Sequence, residues 1–238
     1  MKNIVIIGSS GHGSAILDCI EKEAKYNVIG FIDSFKKKDT LFNGYKILGS
    51  EYDLPYLMDK YNLFGGIVAV GDNWNRQQLV RNITKVTSTF QFISTIHPSA
   101  IIGRNVRIGK GVAIMPGVIV NTNSMIDDHC ILNTSSSLDH DGHMQEYSSL
   151  APRVCAGGNL SLGAFSSIGL GSYVIENITI GAHTVIGAGT LVLRNIGNFA
   201  VAYGNPAKEI RKRKANEPYL SSQRPLIFPL VKSIASNF

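Results

Sequence analysis

His140 stands between Asp139 and Asp141, and it is the residue best suited to move a proton near neutral pH. An imidazole titrates close to that range, and an adjacent carboxylate fixes its tautomer and raises its basicity. An isolated histidine of this kind is most often a solvated surface residue, so the pair needs a scaffold that aims it. A second group lies near the start of the chain. Gly8-Ser9-Ser10-Gly11-His12-Gly13 follows the apolar run Ile4 to Ile7, and a helix opening after Gly13 offers unpaired N–H groups to a phosphate. The spacing Gly-x-x-Gly-x-Gly differs from the dinucleotide fingerprint Gly-x-Gly-x-x-Gly, which disfavours a nicotinamide enzyme.

The scaffold is written in the middle of the chain. From Ile102 to Val192 an apolar residue recurs every six positions, sixteen times without an insertion. Period six fits neither a helix nor a simple hairpin and fits the coils of a parallel β-helix, three hexads to a coil. Each starter points into the prism, and small or β-branched fifth residues such as Ser124, Cys130 and Thr184 fill beside it. Glycine follows the starter at 103, 109, 157, 163, 169, 181 and 187, where it is expected to permit the corner. Residues eighteen apart then stack at about 4.8 Å. This register puts His140 one place from a corner with its ring outward and sets Gly158 one coil above it. Glycine there leaves room for a ligand and an accessible N–H.

Before the prism, residues 1–95 read as alternating strands and helices. Strands are expected at Ile4–Ile7, Val28–Ile32 and Ile67–Val70, with helices through Ile16 and Ile20, over Asp53–Tyr61, and through Val80 and Ile83. That order predicts a small parallel sheet, with ligands at the carboxyl ends of its strands. Asp33 and Gly71-Asp72-Asn73 fall at the same edge as the glycine-rich loop. The expected division is 1–95 for this domain, 96–207 for the prism and 208–238 for a basic cap and tail.

Composition narrows the class. The 238 residues are 17% charged and 44% hydrophobic, with 24 glycines, which excludes a disordered chain, a collagen and a coiled coil. Three cysteines make no disulfide framework. No stretch is long enough for a signal peptide or a membrane span, so the expectation is a cytoplasmic protein without membrane insertion. The formal charge is +6, and the run Arg211-Lys212-Arg213-Lys214 reads as a solvated charge cluster rather than a nucleic-acid site. His129 and His183, at fourth positions of their hexads, are expected to be solvated, and His97 to be structural. No metal is expected, because His129, His140 and His143 lack the spacing of a three-histidine zinc site.

The hexads resemble those of the bacterial hexapeptide-repeat acyltransferases. Four segments narrow the likeness: the loop at 8–13, His97-Pro98-Ser99-Ala100, Asn133-Thr134-Ser135-Ser136 ahead of Asp139-His140-Asp141, and Gly204-Asn205-Pro206-Ala207-Lys208. Together they resemble sugar acetyltransferases of the bacillosamine and sialic-acid type, most of all the N-acetyltransferases of UDP-linked 4-amino sugars. The resemblance implies a small Rossmann-like α/β domain followed by a left-handed β-helix, acetyl-CoA as co-substrate, and a homotrimer with the coenzyme site between subunits. It makes His140 the base, Asp141 the residue that orients it, and the Gly158 N–H the donor to the acetyl oxygen. Leu170 and Ala188 correspond to coenzyme-lining positions. Ser149 stands where relatives carry a histidine that contacts the thioester region. Ser10, Gly11, His12 and Asp33 correspond to contacts with the UDP part of the acceptor, with Ser34, Lys36, Gly71 and Asn73 around them. Ser34 departs from relatives that carry a second acidic residue after Asp33. Two other readings stay open: O-acetylation of a sialic acid or another sugar, and a non-catalytic β-helix scaffold.

Overall fold

The computed structural model describes residues 1–220, so the expected tail beyond that point lies outside the described residues. Its first domain is a six-stranded sheet. The strands are β1 (Lys2–Ile7), β2 (Tyr26–Ile32), β3 (Leu41–Phe42), β4 (Tyr45–Gly49), β5 (Leu63–Val68) and β6 (Gln91–Phe92), in the order β3-β4-β2-β1-β5-β6. All neighbours are parallel except β3, which turns back on β4. The helices are α1 (Gly11–Glu23), α2 (Leu54–Tyr61) and α3 (Asn73–Val86). The central run Ile4–Ile7 is buried on both faces, as a parallel strand requires. The β3–β4 hairpin and β6 are additions to the sequence expectation. The third expected strand also moves, to Leu63–Val68, because Gly65 and Gly66 lie inside it. A Cβ on Gly65 would sit 1.9 Å from the Gln91 carbonyl oxygen, and one on Gly66 2.1 Å from that of Val5. These glycines are close-approach residues, and their lack of a side chain hid the strand.

The prism is a left-handed parallel β-helix of three sheets, built from two-residue strands that pair eighteen residues apart. Sheet I runs through Thr95–Ile96, Ala113–Ile114, Ile131–Leu132, Ser149–Leu150, Ser167–Ile168 and Val185–Ile186. Sheet II runs from Ile101–Ile102 to Leu191–Val192, and sheet III from Arg107–Ile108 to Thr179–Ile180. The repeat therefore starts one hexad before Ile102, at Ile96. From Ile114 onward the starters are buried at 0–4% exposure. Fifth-position hydroxyls do more than fill space. Ser166 Oγ donates to the Gly181 carbonyl and accepts from the Thr184 N–H, so it bridges coils.

Corner geometry corrects the role given to glycine. At all fifteen fourth positions from Asn105 to Gly189 the backbone is left-handed, with φ between 55° and 69°. The glycines after the starters have another task. A Cβ on Gly163 would lie 2.4 Å from the Ala182 nitrogen, so they let successive coils approach.

The two domains meet on sheet I and on the corner between sheets III and I. Cys19 of α1 packs its sulfur 3.3 Å from Thr95 Oγ1. Arg76 of α3 is fully buried and donates to five acceptors: the carbonyls of His129, Tyr147, Val70 and Gly71 and the Asn73 side chain. Beneath it, His129, Tyr147, Phe165, His183 and Phe199 form a column of rings, with centroids 5.0, 5.2, 4.6 and 5.0 Å apart. Each ring lies within 12° of parallel to the next. His129 and His183 are thus rungs of a junction rather than solvated corner residues. Burial pushes His129 down to about 4 and also lowers His183.

At its far end the prism changes register. Ile196 bridges Ile180, and Val201 pairs with Val185, so the last coil is sixteen residues long. Ala200–Tyr203 then pairs antiparallel with Lys208–Lys212, which closes sheet I.

Candidate active site

His140 sits at the corner between sheets II and III, where no other element of the described residues covers it. Its Nδ1 lies 2.8 Å from Asp141 Oδ2, which leaves Nε2 free. Asp141 occupies the left-handed corner slot, and its other oxygen accepts from Asn123 Nδ2 at 3.3 Å. Asp139 caps the His140 N–H at 2.8 Å and accepts from Asn121. The hydrogen bond to Asp141 raises the pKa of His140 above the usual histidine value, with Asp139 adding to it.

One coil above lies Gly158. A Cβ there would sit 2.6 Å from His140 Nε2, so any side chain would displace the ring. The amide is also available. One and two coils below on this corner, the equivalent N–H of His140 and Thr122 donates to a side-chain oxygen of Asp139 or Asn121. Gly157 has no such oxygen, and among the described residues the Gly158 N–H has no acceptor. A free imidazole nitrogen and an uncommitted N–H are therefore neighbours, which is the pairing that acyl transfer to an amine requires of a base and an oxyanion donor.

The second region is a cavity of about 410 Å³ at the carboxyl ends of β1, β2 and β5, with Gly8, Ser10, Asp33, Ser34, Lys36 and Gly71 in its walls. Gly8 has φ +108°, and a Cβ on Gly13 would strike the Gly8 carbonyl at 2.3 Å, so both glycines serve the strand-to-helix turn. A Cβ on Gly11 would meet nothing within 4 Å. The helix opens at Gly11, three residues before the expected start, and its Ser10 N-cap makes no side-chain capping bond. Asp33 is desolvated, yet the Ser9 side chain and the N–H groups of Phe35 and Ser9 hold it below the usual carboxylate range. Lys36 reaches the Ser9 carbonyl, and Ser34 is held by Glu51.

Residues 3–83 match the PglD N-terminal domain. A UDP-N-acetylbacillosamine N-acetyltransferase from Bacillus subtilis (strain 168) is 34% identical over 117 residues, and this chain spans about half (52%) of that relative's length. A perosamine N-acetyltransferase from Caulobacter crescentus, solved with CoA and GDP-perosamine, superposes with a TM-score of 0.82 at 33% identity, covering 88% of this chain and 97% of that one. The acetyltransferase domain of PglB from Neisseria gonorrhoeae FA1090, solved with acetyl coenzyme A, gives 0.78 at 26% identity, covering 88% and 99%. The chain belongs to the nucleotide-sugar N-acetyltransferases. Membership makes it an acetyltransferase.

Within this N-acetyltransferase the remaining expected site residues fall in different places. Leu170 and Ala188 are exposed at the corner between sheets I and II, away from His140. Ser149 is not on an open surface. It is 6% exposed on sheet I under the first domain, and its hydroxyl donates to Ser167 Oγ at 3.1 Å. Asn73 also turns from the cavity. It is buried, with its amide on the carbonyls of Phe165 and Ser166, and clamps α3 to the prism. His12 is pushed down to about 4 by burial and by the Arg76 charge, and its Nε2 has no partner among the described residues. The three histidines weighed as a zinc trio do not converge. His143 lies on sheet III, paired with Asp127 at 2.9 Å, while His129 and His140 occupy two corners.

Proposed function

We propose that this N-acetyltransferase moves the acetyl group of acetyl-CoA to the amine of a UDP-linked 4-amino sugar. The carrying observation is the free Nε2 of His140 beside the uncommitted N–H of Gly158. His140 Nε2 accepts the proton that the amine nitrogen loses as it attacks the thioester carbonyl. The Gly158 N–H donates to the oxyanion of the tetrahedral intermediate. Collapse breaks the C–S bond, and His140 returns the proton to the departing thiolate, which leaves an amide and CoA. Asp141 holds the imidazole with Nε2 outward throughout. Ser10, Gly11, Asp33, Ser34 and Lys36 hold the nucleotide.

The same geometry supports an oligomeric site. The nucleotide domain is seated on sheet I, and His140 stands at the corner opposite that sheet. A sugar held in the cavity therefore meets His140 of another copy. The exposed row Ile101, Ile119 and Tyr173 on sheet II suits burial against a neighbour. Our reading is a homotrimer with the coenzyme in the groove between subunits, reaching Leu170 and Ala188. Among the described residues there is no helix long and apolar enough to cross a membrane, and all three cysteines are free. Both fit a cytoplasmic enzyme.

A GDP-linked acceptor is the second reading, favoured by the Caulobacter relative solved with GDP-perosamine. Thiol release from acetyl-CoA, measured with UDP-linked and GDP-linked 4-amino sugars and with sialic acid, separates these and the O-acetyl reading. The expected result is turnover with the UDP amine, falling in acid through a pKa above 6.5 as His140 is protonated. Turnover with sialic acid alone overturns the amine, and a monomer by light scattering overturns the shared site.

A further inference from the structure

Beyond the end hairpin the chain folds back toward the domain junction. Glu217 pairs with Arg211 at 2.6 Å and caps the Lys214 N–H, while Arg213 donates to the His183 carbonyl above the ring column. This brings Tyr219 between the two domains. Its hydroxyl donates to the Gly71 carbonyl at 3.2 Å, and the hydroxyls of Ser149 and Ser167 on sheet I face the phenol oxygen. Burial raises the phenol above its ordinary value, so it stays a neutral donor. Leu220 completes the contact, with Cδ1 3.3 Å from the place a Gly71 Cβ would occupy.

Gly71 ends the Ala69-Val70-Gly71 wall of the nucleotide cavity, just past the last residue of β5. Its carbonyl has two donors. One is Arg76, which belongs to the domain clamp, and the other is Tyr219 from the far end of the chain. We propose that Tyr219 is a positioning residue for the acceptor: it braces the Ala69–Gly71 wall from behind and fills the gap between that wall and the chain's own sheet I. This rests on the reading of the cavity as the nucleotide-sugar site. A sugar leaving the cavity is then turned away from its own prism.

Steady-state kinetics of the full chain with a UDP-linked 4-amino sugar and acetyl-CoA test it, using Tyr219→Phe and Tyr219→Ala. Losing one part-buried hydrogen bond predicts an acceptor KM raised about three- to tenfold in Tyr219→Phe. Tyr219→Ala is expected to raise it further. The KM for acetyl-CoA stays within about twofold, because the strap touches neither the II–III nor the I–II corner. The melting temperature of Tyr219→Phe is expected to stay within about 4 °C of the wild type. An unchanged acceptor KM, both KM values rising together, or an acceptor KM that falls because the segment is a plug, each overturns the proposal. Absence of wild-type transfer to any nucleotide amino sugar overturns the cavity reading itself, and is seen before any variant is made.

Discussion

Two corners of one prism use the same backbone for opposite purposes. At the II–III corner, Asn123, Asp141 and Asn159 occupy the left-handed slot with φ of 57° to 60°, and beside them His140 is half exposed. At the III–I corner, His129, Tyr147, Phe165 and His183 occupy that slot with φ of 55° to 63°, and their rings stack under α3. Carboxylates raise the first histidine, while burial lowers His129 and His183. The backbone repeat therefore fixes where a side chain stands but not what it does. What faces the corner sets the side chain's state: solvent and carboxylates leave an exposed histidine with a raised pKa, and a packed domain makes a structural rung.

The largest break in this comparison comes at the open corner. His140→Ala is expected to cost ~10²–10⁴-fold in turnover while the melting temperature holds, because nothing packs on that ring. Wild-type turnover removes His140 from the mechanism. At the closed corner the order reverses. Phe165→Ala deletes a rung between Tyr147 and His183 and should cost about 3–5 kcal/mol of stability by chemical denaturation. A loss below ~1 kcal/mol would show that the column carries no load.

The smallest effect separates the two histidine environments directly. His129 titrates at about 4 when folded and near 6.5 when unfolded, so the unfolded chain binds the extra proton in that window. Stability is full above pH 6.5 and falls as pH drops toward 4, by up to about 3 kcal/mol. His129→Phe, a residue type the slot already accepts at Phe165, should flatten that part of the pH–stability curve. An unchanged acid slope would place the sensitivity elsewhere, with His12 the next residue to replace.

The open corner was readable because its residues obey the period: once the hexads are in register, Gly158 falls over His140. The cavity at the carboxyl ends of the strands was readable from the glycine-rich loop and from the strand ends. The closed corner was not. Its column mixes histidine, tyrosine and phenylalanine, so no single residue type repeats, and its last step is sixteen residues rather than eighteen. Arg76 lies on a helix whose buried residues include Val80 and Ile83, and nothing around it in sequence tells that five acceptors await it. Ser149 and Asn73 were misplaced for the same reason, because sequence spacing within one domain carries no information about the other domain's surface. Tyr219 lies in a segment without any period.

The hairpin at the far end has a consequence for association. Stacked parallel coils leave an unpaired edge at the last strand, and an identical edge could extend the stack into a fibre. Here Lys208–Lys212 lies antiparallel at the end of sheet I, exposed along its length and carrying Lys208, Glu209, Arg211 and Lys212. A second prism approaching end-on meets a strand of the wrong direction, edged by the Lys212–Glu209 and Arg211–Glu217 ion pairs. Growth along the coil axis is stopped at that end, and the prism is left to associate through its sides.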